Sequence, residues 1–266
     1  MGCSSSGTGD PLAMPPADPY GSGARLHELL GPATDWLDPA DADSVNCTGI
    51  PEDRKVSITG ATVTVVDEYD ETSDGAIGNY YVQDSLTEPV AFSGITVYSP
   101  GFSPPDLRVI PGDVMDLLGT LTEFPGPSGS EFPFCRTLPE IGGAMEFRFE
   151  GGGATPAIID VEDLGLYDNA RQWLGMLVTI KDVTLREDGY GSESGRYSFR
   201  IEAGPGLSGS EIPTIANELF DLQSFNEGGD NPPVLTAGMQ VQSVTGIITY
   251  FYGVHISPRS AEDIVL

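Results

Sequence analysis

From Lys55 onward the chain writes the same order of β-strand signals twice, which constrains the fold more than any other feature of the sequence. The first strand runs from Val56 to Val66 in one copy and from Met176 to Leu185 in the other, both rich in β-branched residues that alternate. An acidic turn follows each. The second strand is Asn79-Tyr-Tyr-Val-Gln-Asp in the first copy and Arg196-Tyr-Ser-Phe-Arg-Ile in the second, and Gly94-Ile-Thr-Val-Tyr supplies a third strand in the first. Later, Ile110 to Phe124 matches Leu235 to Tyr250. Both place a Gly before the strand, Gly112 and Gly238, and another inside it, Gly119 and Gly246. Tyr197 stands 117 positions after Tyr80, and Gly238 stands 126 after Gly112, so the period is near 120 residues, one small barrel per copy. The interior glycines are expected where a strand bends to serve both faces of a barrel.

The 34 Gly, 22 Pro and 20% charged residues fit a turn-rich all-β chain with little helix. Glu150-Gly-Gly-Gly-Ala-Thr-Pro is the clearest break, which puts the boundary between the copies near residue 154. The expected organisation is therefore a flexible tether and linker over 1–52, a first barrel over 53–154 and a second over 155–266. A helical turn is expected near Leu26 to Leu30, and a short helix from Tyr167 whose Trp173 packs under the second barrel.

Forty acidic against 12 basic residues give a formal net charge of -28, with Lys55 and Lys181 the only lysines. Such a field repels phosphate backbones, whose binding depends on Lys and Arg releasing counterions, so nucleic acid is a disfavoured partner. No run of about 18 apolar residues is present to form a transmembrane helix.

Each copy, as strand, strand, strand, connection and hairpin, follows the five-stranded Greek-key layout of an OB-fold. The V-x-I-x-G opening at Val56, Asn79-Tyr-Tyr-Val-Gln-Asp, the P-G-D-x-x-x-L-x-G run from Pro111 and the closing Ile256-Ser-Pro-Arg-Ser-Ala-Glu-Asp-Ile resemble the OB modules found beside secreted bacterial nucleases. They also resemble tandem OB-fold surface lipoproteins of bacterial, myxobacterial type. The resemblance covers roughly 53–266. It implies an extracellular module, here without a nuclease domain. Tyr80, Tyr98, Tyr250 and Tyr252 are the candidate ligand-contact aromatics, although aromatics in such strands more often serve core or rim.

The N-terminal Met1-Gly2-Cys3-Ser-Ser-Ser-Gly stretch, followed by Pro, has the composition of a tether. It resembles the mature start of a bacterial lipoprotein, with Cys3 the lipidated residue. Residues 1–30 lack a signal-peptide hydrophobic core, so its upstream part is expected to lie outside the sequence. The same residues satisfy the N-myristoylation pattern with Cys3 open to palmitate, and an unmodified tail is the remaining alternative.

With Cys3 lipidated, Cys47 and Cys135 remain as a candidate disulfide pair in an oxidising compartment, the alternative being two buried thiols. Between Asp67 and Asp74 five carboxylates fall within eight residues, and Asp67, Asp70 and Asp74 could gather around Ca²⁺. The loop lacks the full EF-hand order, which favours a hydrated hairpin without a cofactor. Pro125-Gly-Pro-Ser-Gly-Ser-Glu-Phe-Pro and Pro205-Gly-Leu-Ser-Gly-Ser-Glu-Ile-Pro nearly duplicate one another but are not nucleophile elbows, and only His27 or His255 could act as an imidazole base. No catalytic set stands out. The sequence therefore points to a non-enzymatic lipoprotein, membrane-held at the outer membrane or cell surface, that binds or scaffolds a protein or polysaccharide. The alternative is an accessory single-stranded nucleic-acid-binding protein for an extracellular nuclease.

Overall fold

The computed structural model describes residues 23–31, 50–71, 73, 78–98, 109–191, 195–230 and 232–266, with backbone alone for 144–150. The described residues are mostly strand, and none of their helices is long and apolar enough to cross a membrane.

Five strands of the first half close a barrel: β1 (Arg54–Val66), β2 (Tyr80–Asp84), β3 (Gly94–Val97), β4 (Asp113–Phe124) and β5 (Leu138–Gly151), in the spatial order β1-β2-β3-β5-β4. The β3–β5 pairing is parallel and every other pairing in the barrel is antiparallel. Strand β1 serves two neighbours because it slips register between Ile58 and Ala61. The slip switches the buried set from Val56 and Ile58 to Ala61, Val63 and Val65, an even-to-odd change that keeps apolar side chains inward as the strand curves.

The helical turn expected in the linker is α1 (Leu26–Leu30), which is docked against the barrel as part of its core. Leu26 and Leu30, four apart and so on one helical face, are 0% and 2% exposed among Val56, Ile58, Ile95 and Met115. The first-turn amides of Leu26 and His27 donate to the buried Asp84 carboxylate at 3.0 and 3.1 Å, and His27 Nδ1 lies 2.6 Å from it. A strand carboxylate thus satisfies the donors that a five-residue helix leaves unpaired.

The second half forms an eight-stranded sheet from β6 (Ala157–Ile158), β7 (Leu177–Thr184), β8 (Tyr190–Gly191), β9 (Tyr197–Arg200), β10 (Thr214–Ala216), β11 (Gln240–Tyr250), β12 (Val254–Ser257) and β13 (Ile264–Val265). Its order is β6-β7-β11-β12-β10-β9-β8, with β13 on β11. A second closed barrel was expected, and the sheet departs from that. Beyond the end of β7, a single Leu185–Ile201 bridge and the hydrogen bonds Arg186 N to Arg200 O and Glu202 N to Thr184 O join it to β9, without a strand ladder. The remaining pairings run parallel to those of the first half: β10–β12 is parallel, and β7–β11, β11–β12 and β9–β10 are antiparallel.

The interior glycines have the same neighbour in each half. A Cβ at Gly119 would lie 2.4 Å from the Gly142 carbonyl on β5, and one at Gly246 would lie 2.6 Å from the Ser257 carbonyl on β12. Close approach of the last strand, as much as bending, excludes a side chain at both positions.

The helix expected from Tyr167 is α2 (Tyr167–Ala170), continued by a 3₁₀ turn through Trp173, which is half-buried against the second core. This segment also joins the halves. Arg171 Nη2 pairs with Glu123 Oε1 at 2.6 Å, and Arg171 Nη1 donates to Thr137 Oγ1 and the Tyr167 hydroxyl at 3.1 and 2.8 Å. Thr137 Oγ1 donates to Glu123 Oε2, and Tyr167 donates to the Thr137 carbonyl. Arg171 and Glu123 are 7% and 3% exposed, so all these charges lie inside the junction. Nearby, Gln83 on β2 accepts from Leu177 N and donates to the Thr155 carbonyl. At Gly94 and Gly175 the two backbones meet so closely that a Cβ on Gly94 would sit 2.7 Å from the Gly175 carbonyl.

Candidate functional site

Where the sheets face one another they leave a cavity of about 540 Å³, within the range of small-molecule sites. The first half contributes Asp67 from the end of β1, Glu71 and Asn79 from the loop to β2, Tyr81 on β2 and Tyr98 after β3. It also contributes the Thr120, Thr122 and Phe124 face of β4 and the Leu138, Glu140 and Gly142 face of β5, in each case alternate residues of one strand. Across from them stand Arg196 before β9, Glu218 after β10, and Thr249, Tyr250 and Phe251 at the end of β11.

Four carboxylates therefore meet one guanidinium. Arg196 sits 3.9 Å from the Phe251 ring centroid, a cation–π contact, and 3.8 Å from Glu71. Glu218 is held ionised. Burial opposes its charge, but His255 Nδ1 at 2.6 Å, the Thr249 hydroxyl and the Ser257 hydroxyl outweigh burial and hold it down at about 2. Asp67 goes the other way. Burial first, and then Glu71, push it up to about 7, with Glu218 and Asp70 adding to the rise and the Tyr69 amide opposing it. Burial and Glu123 push Glu140 up to about 7 as well. The Tyr81 hydroxyl is raised well above its ordinary range by burial and by Glu218, Asp67, Glu140 and Glu71. The site is a negatively charged pocket in which burial and neighbouring carboxylates hold Asp67 and Glu140 partly protonated at neutral pH.

Of the aromatics singled out from sequence, the structure brings two to this cavity. Tyr98 is 54% exposed at its rim and Tyr250 is 1% exposed in its wall. Tyr80 packs against the first core instead, and Tyr252 bonds Ser130 and sets its ring edge-on to Phe132 and Phe251. Of the calcium candidates, Asp67 lines the cavity, Asp70 is near enough to affect its titration, and Asp74 lies outside the described residues. Among the described residues no group of three or more His, Cys, Asp or Glu is placed to hold a metal ion. Cys3 and Cys47 lie outside the described residues. Cys135 is buried, and the expected pairing with Cys47 falls outside the described residues.

Sequence reasoning missed Glu140, Glu218 and Arg196. A carboxylate inside the Leu138-Pro-Glu-Ile strand and a histidine inside Val254-His-Ile were the available signals, since each needs a partner when half-buried. The chain matches no family model, and it matches no curated protein.

Proposed function

We propose that the chain is a non-enzymatic, lipid-anchored binding module of the bacterial cell envelope, built from two OB-like halves, with the cavity between the sheets as its ligand site. The observation that carries this reading is the cavity's position. OB-folds bind ligands against the β2–β3 face and the loop between β1 and β2, and the lining residues Asp67, Glu71, Asn79, Tyr81 and Tyr98 come from those places in the first half. The OB-like reading of the second half rests on its matching parallel β10–β12 pair and on Gly246 opposite β12. Cys3 is the proposed lipid site, at the start of a Ser/Gly segment suited to a tether.

The alternative, an accessory protein for single-stranded nucleic acid, has the exposed Tyr98 in its favour. It requires a basic groove, and the basic side chain in this lining, Arg196, faces Glu71.

Gly142 offers a way to test the site. A Cβ there meets only the Tyr98 carbonyl at 3.6 Å, an ordinary contact, so Gly142→Phe should fill the cavity without disturbing the barrel. A thermal-shift screen of charged and neutral fragments, short oligosaccharides and single-stranded DNA should give hits on the wild type that disappear in G142F. Hits unaffected by G142F would remove the cavity from the reading, and salt-sensitive DNA binding would favour the alternative. Intact-mass measurement of membrane-extracted protein tests the anchor, and an unmodified Cys3 refutes it.

A further inference from the structure

We propose that the cavity recognises an organic cation, an ammonium or guanidinium group carried on an apolar body, held by Asp67 and Glu140 against the aromatic wall of Tyr81, Tyr98, Phe124, Tyr250 and Phe251. The inference deepens the reading of the cavity as a ligand site and rests on it.

Three independent features point to this chemistry. The lining carries four carboxylates and one guanidinium, so its charge is complementary to a cation, and a protein field of net charge -28 draws cations towards it. The walls are ring faces and edges, which attract a cation through the ring quadrupole and cover the apolar body that carries it. Arg196 already lies over Phe251, a cation–π contact made by the protein's own side chain in this lining.

The protonation of the site follows the same logic. Asp67 faces Glu71, Asp70 and Glu218, and Glu140 faces Glu123, whose own charge is paired with Arg171. Tyr81 lies within reach of Asp67, Glu71, Glu140 and Glu218, and His255 holds Glu218 ionised. Asp67 and Glu140 are each near 7, so at neutral pH protons occupy part of the place a ligand cation would take. A cation that binds must displace them, and the two acids become ionised in the complex. A neutral sugar hydroxyl or an alcohol offers no such exchange.

The test compares benzylammonium with benzyl alcohol, which shares its ring but not its charge, by calorimetry on the full chain at pH 6 and pH 8. Benzylammonium should bind at least about tenfold more tightly than benzyl alcohol at pH 8. It should weaken on going to pH 6 by about tenfold for each carboxyl that must ionise, because those pH values lie one unit either side of 7. Asp67→Asn and Glu140→Gln should each remove one such tenfold step and weaken the cation without affecting the alcohol. Far-UV spectra and melting curves of both variants show that the fold is retained. Equal affinity for the two probes overturns the cation preference while leaving the cavity as a binding site. A pH-independent benzylammonium affinity, or binding that survives D67N/E140Q together, overturns the assignment to these carboxyls. Failure of both probes to bind at millimolar concentration overturns the inference, whereas the G142F screen judges the cavity itself.

Discussion

Replacing Arg171 with Met removes the guanidinium that satisfies Glu123, Thr137 and Tyr167 at the junction of the two sheets, and Arg171→Met should be strongly destabilising. Glu123 is 3% exposed and would be left as a buried carboxylate with the Thr137 hydroxyl as its remaining donor in the network. Breaking such a pair by removing one partner costs about 3–5 kcal/mol, because the survivor keeps its desolvation penalty and loses its attraction. That is a large share of the roughly 5–15 kcal/mol available to a folded protein. The loss falls on the junction, so the halves should also uncouple. Urea unfolding followed by far-UV circular dichroism and by tryptophan fluorescence, to which the half-buried Trp173 contributes, should coincide in the wild type. In R171M the two probes should separate. Glu123→Gln in the R171M background removes the orphaned charge and should recover most of the loss, a non-additivity expected of groups sharing one network. A loss under about 1 kcal/mol, or a double variant no more stable than R171M, would refute the claim that this pair organises the junction.

Stability should peak in mildly acidic solution, as measured by denaturant titration across pH. Asp67 and Glu140 bind protons more tightly folded than unfolded, so their share of stability declines as pH rises from about 4 to about 7; Glu218, held down at about 2, contributes stability above about 4.5 that is lost as pH falls towards 2. D67N should flatten the decline towards neutral pH and raise stability at pH 8 by about 1–2 kcal/mol, after allowance for solvent screening; no change at pH 8 would contradict the assigned cause. Gly175 has φ +76, and a Cβ there would sit 2.6 Å from the Ile95 backbone, so Gly175→Ala should cost at least about 2 kcal/mol in denaturant midpoint, and a neutral result would refute the close approach. Cys135→Ala should cost about 2–4 kcal/mol under non-reducing conditions, and peptide mapping should place the bond to Cys47; a different partner would reject that pairing.

Strands β1 to β4 of the first barrel were legible in the sequence because their information is local, as in the alternation of Val56 to Val66, the aromatics of Asn79 to Asp84 and the Gly-interrupted run from Ile110 to Phe124, whereas β5, from Leu138 to Gly151, was not singled out. The incomplete closure of the second sheet was not legible. It turns on how far β7 and β9 extend towards each other at Leu185 and Ile201, and pattern does not encode where a ladder stops. The docking of α1 was hidden for a similar reason, since Leu26 and Leu30 look like linker until Asp84, 58 positions from Leu26, supplies the helix's donors with an acceptor. The same distinction separates Tyr98 from Glu140 and Glu218. The tyrosine announced itself as an aromatic at a strand end, while the two glutamates became site residues only because the halves face each other.

That juxtaposition also explains why a repeat of two similar sheets carries an asymmetric site. The first half offers the cavity its loop between β1 and β2 and the outer faces of β4 and β5, whereas the second offers the end of β11, Arg196 and the Glu218 turn. The connection from β4 to β5, which includes the first Gly-Pro-Ser-Gly-Ser stretch, packs Phe132 edge-on against Tyr250, Phe251 and Tyr252. The related stretch ending at Pro213 lies between β9 and β10 instead, where the Ser210 carbonyl approaches Gly253. The two similar turns thus converge from different connections on one hairpin, β11 to β12. Their 80-residue separation, out of step with the 120-residue period, has a physical counterpart in this arrangement. One turn fixes the hairpin from the first half and the other from the second. Such bracing holds Tyr250 and Phe251 in the wall while the acidic side is free to titrate.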